Sequence, residues 1–225
     1  MAWMIVCDSS CEIRELEHPS AGVQFALVPF KIRVGEREYV DLATLNVPQM
    51  LQAMTDYNGA STTACPSPEE WAEYFLQADN CIALTISSNL SGSYNAACAA
   101  GKNCTERNPA RRIHVVDTLS AGPEITLLLE KALSEQSSGA GFDEVCENLK
   151  AYQRRTHLLF ALESMHNLAQ NGRISRLTAT MAGVLGIRAA GQASAEGTLE
   201  MLGKCRGGRK TQHFMLCEME RLGYG

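Results

Sequence analysis

Hydroxyls and glycine crowd into one short stretch, Ser87-Ser88-Asn89-Leu90-Ser91-Gly92-Ser93-Tyr94. An apolar run, Cys81 to Ile86, precedes it, and a small-residue run, Tyr94 to Ala100, follows. A strand that passes into a helix through such a turn aims hydroxyls and the unpaired N–H groups of the first helical turn at one point. The positive end of the helix dipole lies there too, so the point suits an anion, either a phosphate or a carboxylate. Ser91 supplies a hydroxyl, and Gly92 lets a ligand approach the backbone. Thr63 precedes a second helix start and can reach the same point. Arg173, in a turn after Gly172, carries a guanidinium suited to pairing with a charged head group or a phosphate.

These residues need a scaffold, and the chain's periodicity describes one. Trp3 to Cys7 reads as a first strand ending in Asp8-Ser9-Ser10. Val23 to Val34, broken by Pro29, reads as two short extended pieces. Val47 to Tyr57 has helical spacing. Gly59 to Cys65 reads as a polar loop. Ser67-Pro68-Glu69-Glu70 then carries an N-cap, a proline at N1 and a capping box, with Trp71, Tyr74 and Phe75 on the apolar face. Ser67 is therefore expected to be a structural cap.

Beyond the Ser-Gly stretch, Ile113 to Val116 predicts a strand ending at Asp117. Ile125 to Leu133 and Phe142 to Tyr152 predict helices. Residues 1–155 thus read as an open, mostly parallel α/β domain with helices on both faces. The strand ends at Asp8, Ser87 and Asp117 should share one edge, where such sheets bind ligands. Asp8 and Asp117 are expected to cap N–H groups near that edge. Two acids facing an anionic ligand would repel it and raise its pKa.

Residues 156–225 read as a second, smaller α/β unit joined through Arg154-Arg155. Its predicted elements are a strand at Leu158 to Leu162, a short helix at Met165 to Ala169 and a turn at Asn171 to Ile174. A hairpin turning at Glu196-Gly197 and a helix from Lys210 to Leu222 complete it.

Composition narrows the function classes. The chain has 225 residues, 45% apolar and 20% charged, which is ordinary for a globular protein with a real core. Its net charge of −5, with no basic cluster beyond Arg206 to Lys210, argues against nucleic-acid binding. No run approaches the roughly 20 apolar residues of a spanning helix, so stable membrane insertion is not expected. The N-terminus lacks a basic n-region and reads as a strand, not a signal peptide. The nine cysteines are scattered without metal-ligand spacing, and read as reduced thiols in a cytoplasmic protein. Cys65 differs in lying beside the candidate site. No metal or cofactor is expected.

A serine-dependent hydrolase or phosphotransferase acting through Ser91 is one alternative, although the chain has no Gly-x-Ser-x-Gly elbow and no Gly-x-x-x-x-Gly-Lys loop. A phosphate-binding module is another.

Several separated segments resemble, in order, the motifs of the DegV family. Ile5-Val6-Cys7-Asp8-Ser9-Ser10 resembles its opening strand, Tyr39-Val40-Asp41 its acidic signature, and Thr63-Ala64-Cys65-Pro66-Ser67-Pro68 its Thr-Ser-Gln-Pro-Ser-Pro loop. Ser87 to Tyr94 resembles Ser-Ser-x-Leu-Ser-Gly-Thr-Tyr, with Ser93 in place of threonine. Val115 to Thr118, Gly172-Arg173-Ile174-Ser175 and Lys204-Cys205-Arg206-Gly207 match three further motifs.

The resemblance implies two α/β domains holding a long-chain fatty acid between them, and a non-catalytic protein that presents the carboxyl group to a separate fatty acid kinase. On this reading Thr63, Ser91, Gly92 and Ser93 bind the carboxylate, and Arg173 and Ser175 meet the head group or the kinase. Leu162, Met165, Met181, Leu185 and Ile187 line the acyl slot. Ala64-Cys65 stands where the family has Ser-Gln, so two hydrogen-bonding side chains are missing. The family's late His-x-Gly-Pro-Gly segment has no counterpart, which implies a shortened, incomplete second domain.

Overall fold

The computed structural model describes residues 2–16, 22–174 and 187–224. In chain order it contains β1 (Trp3–Asp8), β2 (Val23–Val28), β3 (Lys31–Val34), β4 (Arg37–Val40) and α1 (Val47–Asp56). Next come β5 (Thr62–Ala64), α2 (Pro68–Phe75), β6 (Asn80–Thr85), α3 (Ser93–Arg107), β7 (Arg112–Asp117), α4 (Pro123–Ser137) and α5 (Phe142–Gln153). The last elements are β8 (Leu159–Leu162), α6 (His166–Gln170), β9 (Ile187–Ala193), β10 (Leu199–Arg206) and α7 (Gly208–Arg221).

β1 and β6 are apolar along nearly their whole length, the mark of strands covered on both faces. They lie at the centre of a parallel sheet ordered β2-β1-β6-β7. Alternation along β1 divides the core. Trp3, Ile5 and Cys7 pack with Ile125, Leu128 and Leu129 of α4 and with Val145 and Leu149 of α5. Met4 and Val6 face the other way, onto Trp71 and Phe75 of α2 and Ala97 and Ala100 of α3. The doubly covered α/β sheet expected from the sequence is therefore present. No described helix is long and apolar enough to cross a membrane.

α2 begins as its sequence dictates. The Ser67 side chain accepts from the Glu70 N–H at 3.3 Å, and the Glu70 carboxylate accepts from the Ser67 N–H at 2.8 Å. α3 starts at Ser93 and runs on to Arg107, well past the small-residue run that predicted it.

Two short strands depart from the sequence reading. The supposed polar loop from Gly59 to Cys65 contains β5, and β4 follows β3 across a tight turn in which Gly35 has φ +60°. Together they form an antiparallel sheet ordered β4-β3-β5, with Ile32 opposite Thr63. Both are edge strands with mainly exposed side chains. Their backbone pairing therefore leaves no alternating apolar signature.

A third, antiparallel sheet is ordered β10-β9-β8. Its hairpin turns at the predicted Glu196-Gly197, where Gly197 has φ +78°. Met165 is buried against it, packing with Ala189 of β9, Leu162 of β8, Met201 of β10 and Ile174.

Candidate functional site

The carboxyl ends of β1, β6 and β7 meet beneath the Ser-Gly loop, and two aspartates fasten it there. Asp8 is fully buried at the end of β1. Its Oδ2 accepts from the Ile86 N–H at 2.9 Å and from the Ser93 hydroxyl at 2.6 Å. Its Oδ1 accepts from the N–H and hydroxyl of Ser10. Burial pushes the Asp8 carboxyl above its ordinary range, while the hydrogen bonds from Ser10, Ser93 and Ile86 pull it back. Asp117, at the end of β7, accepts from the N–H groups of Ser88 and Leu119, each at 3.1 Å. Both acids are spent on positioning the loop, the role their strand-end places suggested.

Within the loop, the N–H groups of Leu90 and Ser91 return to the Ser87 carbonyl at 2.9 and 3.1 Å. The Ser91 hydroxyl oxygen accepts from the Ser93 N–H at 3.2 Å, which leaves its proton free to donate. Gly92 is exposed at the N-cap of α3, with no side-chain cap there. A Cβ on Gly92 would stand 3.3 Å from the Cys65 sulfur. The loop after β5 thus abuts the start of α3, and Thr63 lies two residues away from that contact with an exposed side chain. Ser93 differs from the expectation. Its side chain is fully buried and its hydroxyl donates inward to Asp8, so it holds the helix start in place and does not face outward.

Later segments reach the same loop. The Ser87 hydroxyl donates to the Gly197 carbonyl at 2.7 Å, and the Asn89 amide to the Glu196 carbonyl at 2.6 Å. Arg173 does arrive at the loop. Its Nε donates to the Leu90 carbonyl at 3.1 Å, and its Nη1 to the Asn171 carbonyl at 2.5 Å. The Asn171 amide donates to the Ser61 carbonyl at 2.9 Å, tying the same turn to the approach of β5.

Ser91, Gly92, Ser93 and Arg173 therefore converge, with Thr63 nearby. Of the apolar set, Leu162 and Met165 share one cluster. Ile187 is half-buried at the start of β9, opposite Arg206. Ser175, Met181 and Leu185 lie outside the described residues. The sequence reading did not single out Asn89 or Gly197 as site residues. An exposed asparagine whose partner lies 107 residues away leaves no local signal. Among the described residues no cluster of three or more His, Cys, Asp or Glu side chains suits a metal.

The profile described as "Uncharacterised protein, DegV family" matches residues 2–222. The chain is 42% identical over 224 residues to a DegV domain-containing protein of Streptococcus pneumoniae R6, spanning 100% of this chain and 80% of that relative. Among solved structures it is similar to the S. pneumoniae fatty acid kinase (Fak) B3 protein loaded with linoleic acid. That match has a TM-score of 0.97 at 42% identity, over 99% of this chain and 79% of the other. It is also similar to a Eubacterium eligens DegV family protein loaded with heptadecanoic acid, with a TM-score of 0.93 at 38% identity, over 98% and 79% of the two chains.

Proposed function

Because the chain belongs to the DegV family, we propose that it carries a long-chain fatty acid between two units, residues 1–155 and 156–225, and presents the carboxyl group to a separate fatty acid kinase. The observation that carries this reading is the likeness, at 42% identity and a TM-score of 0.97, to a protein loaded with linoleic acid. The Ser-Gly loop supports it on chemical grounds. A carboxylate leaving water needs directed donors. The Ser91 hydroxyl and the free N–H groups at the start of α3 meet that need, with Thr63 as a further hydroxyl. Gly92 keeps the approach open. Ser93 serves indirectly, through its bond to Asp8.

Leu162, Met165, Ile187, Met181 and Leu185 are assigned to the acyl slot. Flexible methionines fit a slot that accepts chains of differing shape. Arg173 and Ser175 are assigned to the head group or to the kinase contact. The carrier itself is non-catalytic, cytoplasmic and needs no cofactor; the kinase supplies the phosphoryl transfer.

Titration of the delipidated chain with linoleic acid tests the reading. Saturable, stoichiometric uptake is expected, and the absence of saturable uptake would sink it. In the same assay Ser91→Ala should weaken binding by roughly 1–3 kcal/mol, the usual cost of stranding a charged-group partner. An unchanged affinity would place the carboxylate elsewhere. Arg173→Ala should impair kinase-coupled acyl-phosphate formation more than acid binding, since its guanidinium bonds the Leu90 carbonyl and not the Ser91 hydroxyl. Equal losses in both assays would make it a ligand-holding residue instead.

A further inference from the structure

The β9–β10 turn is built as a rigid tip. The Ser194 N–H donates to the Thr198 carbonyl at 2.8 Å, and the Gly197 N–H to the Ser194 carbonyl at 2.9 Å. The Ser194 hydroxyl oxygen accepts from the N–H groups of Glu196 and Thr198 at 3.2 and 3.1 Å. So braced, the tip presents two successive carbonyls, those of Glu196 and Gly197, to the Ser-Gly loop.

Their partners differ in kind. Ser87 is fully buried, and its bond to Gly197 forms part of the packed contact with Leu119. Asn89 is exposed, and its amide reaches the Glu196 carbonyl from the surface. Asn89 also sits inside the turn that sets Ser91. Its N–H donates to the Ser87 hydroxyl oxygen at 3.2 Å, and the Ser91 N–H to the Ser87 carbonyl at 3.1 Å. A retreat of the hairpin tip therefore pulls first on Asn89 and Ser87, and through the Ser87 carbonyl on the backbone N–H of Ser91.

We infer that Asn89 is a positioning residue, an exposed latch that holds the β9–β10 tip against the carboxylate loop and sets how fast a bound fatty acid leaves. It touches no ligand; it acts through the tip and through Ser87. The inference rests on the fatty-acid reading above. An exposed latch suits this task because its bond can open and re-form without unpacking the buried Ser87 contact, which holds the resting position.

Stopped-flow release of linoleic acid from the loaded full chain into an excess of acceptor vesicles tests it, alongside the melting temperature of the ligand-free protein. Asn89→Ala should release the acid about two to ten times faster, the rate equivalent of one modest hydrogen bond. The ligand-free melting temperature should stay at the wild-type value, which a merely structural role would not allow. Asn89→Gln, which keeps the amide donor, should return the rate toward wild type. Release from Asn89→Ala at the wild-type rate overturns the latch. So does a faster release that appears only with a lowered melting temperature, or one that Asn89→Gln fails to slow. A wild-type chain that takes up no linoleic acid overturns the fatty-acid reading and the latch together. Uptake by wild type with equal release from all variants overturns the latch alone.

Discussion

Asp8→Ala is expected to destabilise the protein by roughly 3–5 kcal/mol, read as a shift in the urea midpoint at constant slope. The carboxylate accepts from the Ser10 N–H, the Ser10 hydroxyl, the Ile86 N–H and the Ser93 hydroxyl, and is itself fully buried. Truncation strands these donors. Those of Ser10 lie in a partly exposed turn where water can reach them, so the larger share falls on Ile86 and Ser93. Both sit at the roots of the Ser-Gly loop, so acid binding should fall as well. Asp8→Asn retains an acceptor and the shape, and should lose less. A loss below about 1 kcal/mol for Asp8→Ala would mean that the loop is fastened without it.

The same carboxylate has a pH signature. Burial raises its folded-state pKa above the unfolded value of about 3.9. The folded state therefore binds this proton more tightly than the unfolded chain does. The associated stability is present below the unfolded pKa and is lost as pH rises through the raised folded value. Subtracting the Asp8→Asn profile from wild type should isolate that decline. A difference that rises with pH across that interval would mean that the hydrogen bonds outweigh burial.

Much of this arrangement was legible because local chemistry dictates it. Ser67, Pro68 and Glu70 announce the start of α2 in four residues. The unbroken apolar runs at Trp3 and Cys81 announce strands covered on both faces, and their ends, with that of the Ile113 run, place Asp8, Ser87 and Asp117 together. That Arg173 belongs with the loop was implied only by the family resemblance, since a turn 83 residues downstream has no local tie to Leu90. What the sequence hid was direction. Ser93 looks like a ligand hydroxyl at a helix start, but Asp8 lies 85 residues earlier and claims it from below. β4 and β5 escaped because an exposed edge strand is held by its backbone, which any sequence supplies. Asn89 escaped because its partner is a carbonyl, which carries no residue identity.

Gly197→Ala should show how far the loop depends on the hairpin. Gly197 has φ +78°, so any side chain there incurs left-handed strain of about 1–2 kcal/mol. Its Cβ would also stand 2.8 Å from the Leu119 Cα and closer still to the Ser87 hydroxyl oxygen. Leu119 offers backbone and not a flexible tip, and Ser87 is buried, so neither can yield; the hairpin must retreat. A total loss of about 2–4 kcal/mol is expected, with acid affinity reduced more than tenfold as the Ser87 and Asn89 bonds break together. Gly207→Ala separates the two causes. Gly207 has φ +80° with nothing within 4 Å of the added Cβ, so it incurs the strain without the collision. If the two variants lose the same stability and Gly197→Ala still binds acid normally, the contact between hairpin and loop carries no energy. If Gly197→Ala loses binding while Gly207→Ala keeps it, the Ser-Gly loop owes its shape to a turn more than a hundred residues away.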